Sequence, residues 1–334
     1  MMNSSKSRFN VQPGTVIEGK WHKNRYTIIN ELGFGANGIV YLARNKNVQV
    51  ALKMSDNGMS ITSEVNVLKS FAKVQGSALG PSLLDVDDWQ VNGGQISFYV
   101  MEYIEGPDFL TFIEKKGSSW LPVLILQLLA DLEKLHHNGW VFGDLKPENL
   151  IVTGPPSRIR CIDVGGTTLQ GRAIKEFTEF YDRGYWGLGS RKADPSYDLF
   201  AVAMIMINSA YPKRFNKKQG GITQLRQAIN NSKLLQKFEP VILSALQGQY
   251  LSAGDMRDDL LHLVKAKTSK ATAGTRQTRQ TRQTRQTHSV NTNPQRNRVR
   301  QNQKGRKKKG SLETVLILVI VMLFYAFYIF GELI

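Results

Sequence analysis

Phe142-Gly143-Asp144-Leu145-Lys146-Pro147-Glu148-Asn149-Leu150 is an informative stretch, because three chemically active side chains stand at fixed spacing within it. Asp144 is suited to accept the proton of a substrate hydroxyl, Lys146 to screen a phosphate, and Asn149 to bind Mg²⁺. A polar loop that merely contains a proline is the alternative, and this spacing argues against it. Asp163 follows nineteen residues after Asp144, in Ile162-Asp163-Val164-Gly165, and is the second candidate Mg²⁺ ligand.

A glycine-rich turn lies upstream, at Gly33-Phe34-Gly35-Ala36-Asn37-Gly38. Glycines let backbone N–H groups approach phosphate oxygens without a clash at Cβ. Taken alone, a hairpin turn that needs positive φ explains the pattern about as well. A dinucleotide-binding turn has a similar spacing, but a strand-like segment rather than a helix follows Gly38.

A lysine and a glutamate downstream of this turn form a candidate ion pair. Lys53 ends the apolar run Val50-Ala51-Leu52-Lys53, fifteen residues after Gly38, and is placed to present a point charge to phosphates. Glu64 lies in a predicted helix and is placed to hold that ammonium group. In isolation, a surface lysine is the favoured interpretation of Lys53, and the alternative for Glu64 is one solvated helix charge among many.

Hydrophobic periodicity divides residues 21–264 into a strand-rich part and a helical part. Leu124, Leu128, Leu132 and Leu135 share one helix face, and that helix is expected to end at Asn138-Gly139. The nine-residue apolar run at 199–207 predicts a buried helix that is too short to span a bilayer. In the first part, short apolar runs predict strands at 26–29, 38–43, 48–53 and 98–101, and a helix at 61–74.

The net charge of +17 comes mainly from one segment. Residues 1–264 contain 29 basic and 25 acidic residues, whereas residues 265–310 contain fifteen basic and no acidic ones. The segment has no Phe, Trp, Tyr, Leu or Ile and repeats Arg-Gln-Thr four times, so it predicts a disordered linker. Without aromatic residues it would meet DNA through phosphates alone. The candidate DNA contacts are Arg276, Arg279, Arg282, Arg285, Arg296, Arg298 and Arg300.

Two other interpretations of the basic segment stay open: a solvated tether, and contact with anionic membrane lipid. The lipid interpretation is favoured for Lys304 and residues 306–309, which adjoin the last apolar segment. Residues 315–331 contain no charge, and seventeen helical residues span about 26 Å, close to the roughly 30 Å of bilayer hydrocarbon. We therefore predict a single C-terminal transmembrane helix at 312–331 that anchors the chain in the cell membrane, with the preceding residues in the cytoplasm.

The glycine-rich turn, Lys53, Glu64, the 142–150 stretch and Asp163, in this order, resemble the Hanks-type protein kinases over residues 20–265. The resemblance implies an α+β, two-lobed protein-kinase fold, with a small, mostly β N-lobe and a larger helical C-lobe. It also implies transfer of the ATP γ-phosphate to serine and threonine hydroxyls, with Mg²⁺ bound by Asn149 and Asp163. The implied ATP-binding residues are Leu32, Gly33, Gly35, Gly38, Val40, Ala51, Lys53, Met101 as gatekeeper, Glu102 and Ile104 as hinge, and Ile151.

The resemblance also assigns roles and boundaries. Asp198 matches the buried aspartate that begins the large central helix. The implied catalytic residues are Asp144, Lys146, Asn149, Lys53 and Glu64. The predicted organisation is a flexible N-terminus at 1–20, an N-lobe at 21–103, a C-lobe at 104–264, a basic disordered linker at 265–310 and a transmembrane helix at 312–331.

The chain departs from the family pattern at three places. Phe142-Gly143-Asp144 replaces His-Arg-Asp, Asp163-Val164-Gly165 replaces Asp-Phe-Gly, and Asp182-Arg183-Gly184-Tyr185 replaces Ala-Pro-Glu. Gly143 cannot hold an activation-loop phosphate, so we expect basal activity without loop phosphorylation. The usual glutamate partner of Arg257 is also missing. Candidate autophosphorylation sites are Thr167, Thr168 and Thr178, although threonines are common in loops.

These observations predict a membrane-anchored serine/threonine protein kinase. Its expected partners are protein substrates, non-specific DNA, anionic lipid and a second copy of the chain during autophosphorylation. DNA bound along the basic segment is expected to raise activity by bringing copies together. The alternatives are a pseudokinase scaffold that kept the fold, and a kinase whose basic segment contacts only lipid. Nucleotide-dependent phosphotransfer, with and without DNA, separates them.

Overall fold

The computed structural model describes residues 11–35, 38–73, 79–91, 94–218 and 220–266. Within these ranges, no helix combines the length and the apolar character that crossing a membrane requires. The seven candidate DNA-contacting arginines and the predicted transmembrane helix lie outside the described residues.

The N-lobe is built on an antiparallel sheet with the strand order β1-β2-β3-β4-β6-β5 in the described part of the chain. Helix α1 (Gly58–Lys73) follows β4 and packs on the sheet. The four strands and the helix that hydrophobicity predicts are all present. The strands are β1 (Val16–Glu18), β2 (Arg25–Gly35), β3 (Gly38–Asn45), β4 (Val48–Ser55), β5 (Leu83–Val91) and β6 (Gly94–Glu102).

Two strands of this sheet differ from the sequence-based expectation. β1 lies inside residues 1–20, which the sequence assigns to a flexible N-terminus, and it pairs with β2 through Ile17 and Tyr26. β5 lacks an apolar pattern because its side chains include carboxylates that bind backbone. Asp87 accepts hydrogen bonds from the backbone N–H groups of Trp21 (2.9 Å) and His22 (2.7 Å), so β5 fastens the β1–β2 connection to the sheet.

The C-lobe is helical and contains the larger hydrophobic core. Its central helix α5 is buried from Tyr197 to Asn208, which confirms the buried helix predicted from the apolar run. The four periodic leucines of α3 are buried, and α3 ends at His137 with Asn138 as its C-cap, as predicted. The helices are α2 (Phe109–Lys116), α3 (Trp120–His137), α4 (Arg183–Trp186), α5 (Pro195–Ala210), α6 (Gly221–Asn230), α7 (Glu239–Leu246) and α8 (253–266).

Short strands and one 3₁₀ turn position the loop that contains Asp144. β7 (Trp140–Val141) precedes the loop and pairs with β10 (Thr168–Leu169). A 3₁₀ turn at Pro147–Asn149 leads into β8 (Leu150–Thr153), which pairs with β9 (Arg158–Cys161) just before Asp163. Two neighbouring antiparallel pairs therefore bring Asp144, Asn149 and Asp163 to one edge of the C-lobe.

Asp198, in the first turn of α5, holds this loop from below. It is fully buried, and its two carboxylate oxygens accept hydrogen bonds from the backbone N–H groups of Phe142 (2.8 Å) and Gly143 (2.9 Å). The Nε2 atom of His136 lies 2.9 Å from the same carboxylate. His136 is therefore a buried partner of Asp198.

The segment that replaces Ala-Pro-Glu is held by local ion pairs. Asp182 is buried, caps α4 through the N–H groups of Gly184 and Tyr185, and pairs with Arg191 at 2.7 Å. Arg257 lies 4.0 Å from Asp258, on the surface. A nearby arginine, rather than the distal Arg257, therefore neutralises the carboxylate at this position.

Candidate active site

A cavity of about 640 Å³ separates the N-lobe sheet from the loops at the edge of the C-lobe. This volume suits a ligand the size of a nucleotide. All eleven residues that the sequence assigns to ATP binding line it, together with Asp144, Lys146, Asn149 and Asp163. The structure thus brings together side chains that are more than a hundred residues apart in the chain.

The inner end of the cavity is apolar and fits a flat aromatic base. Val40 and Ala51 come from the N-lobe sheet, Ile151 comes from β8, and Met101 ends the buried part of β6. The Glu102 side chain is turned towards the C-lobe, where it pairs with Arg160 at 2.7 Å. Hydrogen bonds from Arg160 lower the pKa of Glu102 against the opposing effect of burial. The Glu102 side chain is therefore part of a structural ion pair with Arg160.

The glycine-rich turn covers the outer end of the cavity. Gly33 and Gly35 face open space, since a Cβ added at either position would meet no atom within 4 Å. Gly38 differs: its φ is +131°, and a Cβ there would collide with the carbonyl of Met54 in β4. Gly38 is therefore required by the sheet, while Gly33 and Gly35 leave room for phosphate oxygens against the backbone.

Lys53 and Glu64 form a buried ion pair inside the cavity. Lys53 Nζ lies 2.6 Å from Glu64 Oε2 and 3.9 Å from Asp163 Oδ1. The Lys53 and Glu64 side chains are 8% and 3% exposed, whereas the Asp163 side chain is 45% exposed. Lys53 is thus held by Glu64 of α1, and its ammonium group also faces Asp163, the more exposed of the two carboxylates.

One hydroxyl group and one ammonium group hold the Asp144 carboxylate. Thr178 Oγ1 donates to Asp144 Oδ1 at 3.1 Å, and Lys146 Nζ contacts the other carboxylate oxygen. Lys146 Nζ also donates to Thr178 Oγ1 at 3.4 Å. Asn149 Nδ2 donates to the Asp144 carbonyl at 3.3 Å, so the amide oxygen of Asn149 is the atom that remains for a cation.

The residues present fit a magnesium–nucleotide pair. Asp163 offers a carboxylate and Asn149 an amide oxygen, which are the hard oxygen ligands that Mg²⁺ prefers. Both line the same cavity as Lys53, and the open space beside Gly33 and Gly35 lies along it. Asn149 and Asp163 would hold the metal, and Lys53 and the glycine-rich turn would hold the phosphates.

The three candidate autophosphorylation sites fall into two groups. Thr167 and Thr168 are 0% and 1% exposed, and Thr168 Oγ1 donates to the Gly166 carbonyl at 2.9 Å. Neither hydroxyl is accessible to another kinase molecule in this conformation. Thr178 contacts Asp144 and Lys146 and so belongs to the catalytic arrangement, a role that its place in a polar loop does not reveal.

The activation segment is tied to its surroundings without a phosphate. Gly143 has φ +87°, and a Cβ there would lie 2.6 Å from the Gly166 carbonyl, so the two loops meet backbone to backbone. On the other side, Lys175 Nζ donates to Ser63 Oγ of α1 at 3.2 Å and to the Thr167 carbonyl at 3.4 Å.

Sequence reasoning missed several residues of the cavity. The apolar strand pattern at 98–101 does not indicate that the Tyr99 hydroxyl donates to Glu64 Oε2, as it does at 2.7 Å. Its place opposite Lys53 in the β4–β6 register is set by the fold, and no sequence signal reveals it. The other lining residues that the sequence did not assign are Phe34, Pro81, Tyr103, Gly106, Glu148, Ile162 and Glu176.

Comparison with known proteins agrees with this geometry. The protein kinase domain family matches residues 26–286. The serine/threonine-protein kinase YabT of Bacillus subtilis is 52% identical over 333 residues, which cover 98% of each chain. Cyclin-dependent kinase G1 of Arabidopsis thaliana is 26% identical over 228 residues, which are 61% of this chain and 36% of that protein. The structure of vaccinia related kinase 3 matches with a TM-score of 0.58 at 17% identity, covering 79% of this chain and 94% of that chain, and so shows a shared fold.

The contact between Gly143 and Gly166 generates a stability prediction with a matched control. Gly171 has φ +86°, like Gly143, but a Cβ there would meet nothing within 4 Å. Gly171→Ala should lower the free energy of unfolding by about 1–2 kcal/mol, through backbone strain alone. Gly143→Ala should cost about 2–5 kcal/mol, because a steric clash adds to the strain, and should also reduce phosphotransfer.

Urea unfolding of both variants measures the difference, and a phosphotransfer assay measures its effect on the site. Equal stability losses in the two variants would show that the approach of the two loops is not a constraint.

Proposed function

We propose, from the premise that this chain belongs to the protein kinase family and is a serine/threonine-protein kinase, that it transfers the γ-phosphate of ATP to protein hydroxyls in a Mg²⁺-dependent reaction at the membrane. The observation that carries the proposal is the assembled set of Lys53–Glu64, Asp144–Lys146–Thr178 and the facing pair Asn149 and Asp163 in one cavity. Each group that phosphoryl transfer requires from the protein is present.

The chemistry follows from where these groups stand. Asp144 accepts the proton of the substrate hydroxyl while the hydroxyl oxygen forms a bond to the γ-phosphorus. The bond between the γ-phosphorus and the β-phosphate oxygen breaks, and ADP leaves. Lys146, in contact with Asp144, screens the charge that is transferred. Lys53, held by Glu64, orients the phosphates. Mg²⁺, when bound, neutralises charge on the phosphates.

A pseudokinase scaffold is the alternative, and the intact contacts weigh against it. The Lys53–Glu64 pair is formed at 2.6 Å, and Asp144 is buried and aimed at the cavity. The family pattern is altered at Gly143 and Val164, neither of which needs to touch phosphate, metal or proton.

Asp163→Ala should abolish phosphotransfer to a protein substrate while leaving the fold intact. It removes a metal ligand whose charge stabilisation is worth several kcal/mol, which corresponds to a loss on the order of a thousandfold. Asp144→Asn and Lys53→Ala should also inactivate the protein. Asp258→Ala, at an exposed carboxylate away from the cavity, is the control.

The assay follows transfer of labelled phosphate from ATP with Mg²⁺ as the only divalent metal. Near-wild-type activity of Asp163→Ala under these conditions would refute the proposed mechanism, and an inactive wild-type protein would favour the scaffold.

The proposal of a membrane location rests on the C-terminal sequence. Residues 315–331 carry no charge, and Lys304 and residues 306–309 place a basic cluster immediately before them. Positive residues stay on the cytoplasmic side of a transmembrane helix, and ATP is available there. The kinase domain would therefore face the cytoplasm.

Protease added to intact spheroplasts should leave the kinase domain uncut, and lysis should expose it. Deleting residues 312–334 should release the kinase domain from the membrane fraction. Digestion of the domain before lysis would reverse the orientation, and a deletion variant that stays with the membrane would remove the anchor.

The proposal extends to DNA, which the basic segment would bind without sequence preference. Its four Arg-Gln-Thr repeats begin at Arg276, Arg279, Arg282 and Arg285, and no acidic residue lies between 265 and 310. Binding through phosphates releases counterions and is sensitive to salt. Several chains on one DNA molecule would be close enough to phosphorylate one another, which gives DNA a route to higher activity.

In a filter-binding titration, affinity for DNA should fall on the order of a thousandfold or more between about 50 and 200 mM salt, if six or more arginines engage. Replacing the four repeat arginines with glutamine should abolish most of the binding and the gain in phosphotransfer. Replacing the same four with lysine is the matched control, since phosphate neutralisation requires only the charge.

The outcomes separate the interpretations of the basic segment. Binding that survives the glutamine variant or ignores salt would exclude the repeats as the DNA site. Binding with no gain in activity would exclude DNA as an activator, and binding only to anionic vesicles would favour the lipid interpretation.

A further inference from the structure

Tyr99 is a buried tyrosine whose hydroxyl reaches the Lys53–Glu64 pair. It lies in β6, is 1% exposed, and is opposite Lys53 in the β4–β6 register. Its hydroxyl donates to Glu64 Oε2 at 2.7 Å, and Lys53 Nζ donates to the same oxygen at 2.6 Å. One carboxylate oxygen therefore receives a donor from each of two neighbouring strands.

The hydroxyl can act only as a donor at this position. Burial, followed by the charge of Glu64, raises the pKa of Tyr99 well above its ordinary value. The hydroxyl therefore stays protonated across the working pH range and donates to the carboxylate. A hydrogen bond to a charged acceptor in a buried site is among the stronger ones that proteins make.

Glu64 depends on α1 for its position. The other contacts that could hold α1 and Glu64 are weaker than the hydrogen bond from Tyr99. Among the residues that the structure describes, its second oxygen accepts from Ser60 Oγ of the same helix, at 3.3 Å. The activation segment reaches α1 through an exposed contact between Lys175 and Ser63. Gly143 offers no side chain with which a phosphate could bridge the catalytic loop and α1.

We propose that Tyr99 is a positioning residue for phosphoryl transfer. Its hydroxyl fixes Glu64, and thereby holds α1 and Lys53 where Lys53 can orient the phosphates. The strand β6 belongs to the rigid sheet and α1 packs on it, so the hydroxyl joins a fixed element to one that must stay in place. Packing alone would be satisfied by a phenylalanine. This inference rests on the kinase activity proposed above and adds a residue to its machinery.

The first test measures α1 without nucleotide. Hydrogen exchange of the full-length protein in mild detergent is compared for wild type, Tyr99→Phe and Tyr26→Phe. Tyr26 is the matched control, because it is also a buried tyrosine of the same lobe, and its hydroxyl donates to Asp85 rather than to Glu64. Exchange within residues 58–73 should rise about tenfold or more in Tyr99→Phe and stay at the wild-type rate in Tyr26→Phe.

The second test is a double-mutant cycle in kcat/KM for ATP. Tyr99→Phe should lower kcat/KM by about ten- to a hundredfold in the wild-type background. In the Glu64→Ala background the same substitution should have little further effect, because its target is gone. A merely structural role would lower activity by a similar factor in both backgrounds.

Each outcome decides the inference. An unchanged exchange rate in α1, or equal losses in the two backgrounds, overturns it. Tyr99→Met lacks the same hydroxyl and has an adaptable side chain, so it must reproduce the result. If both Tyr99 variants unfold at the assay temperature while Tyr26→Phe does not, the hydroxyl is a stability element and the inference is wrong. A wild-type protein without phosphotransfer would refute the kinase proposal, and the exchange measurement would still test the contact.

Discussion

The geometry of the catalytic loop depends on one buried carboxylate, that of Asp198. Its oxygens accept the backbone N–H groups of Phe142 and Gly143 and contact His136, all out of water. A buried polar group without a hydrogen-bond partner is energetically costly. The Asp198 carboxylate and the catalytic loop therefore hold each other in place. Because α5 is buried along most of its length, this anchor is rigid. The loop above it presents Asp144 to the cavity and meets Gly166 at Gly143.

Much of the site could be predicted from the sequence, because its chemistry lies in residue types at fixed spacings. Asp144, Asn149 and Asp163 belong to such patterns, and the periodic leucines of α3 have a single physical explanation. Strand β5 could not be predicted, because its carboxylates bind the backbone of residues outside the strand. The contacts of the Tyr99 and Thr178 hydroxyls could not be predicted for a related reason, because only the fold brings their partners near.

The structure assembles the catalytic groups through contacts that need no phosphate. The Lys53–Glu64 pair is closed, Thr178 joins Asp144 to Lys146, and Asp182 is neutralised by Arg191 from its own neighbourhood. Gly143 replaces the arginine that anchors a loop phosphate in related kinases. Its backbone contact with Gly166 fixes the position of the activation segment directly. The same glycine thus offers no side chain to a loop phosphate, and its backbone contact holds the activation segment without one.

Because the active site is already assembled, loop phosphorylation has little left to change. Activity would then be controlled by how often the enzyme meets its substrates. The proposed membrane anchor would confine the enzyme to two dimensions, and a basic segment that holds DNA would concentrate copies along one polyanion. Tethering by short flexible linkers raises the effective concentration of one molecule around another to roughly the millimolar range. It needs no new contact in the active site. Since Thr167 and Thr168 are buried, a neighbouring copy would act on other hydroxyls. If the proposed anchor and DNA contact hold, control by proximity would suit an active site that is assembled in this way.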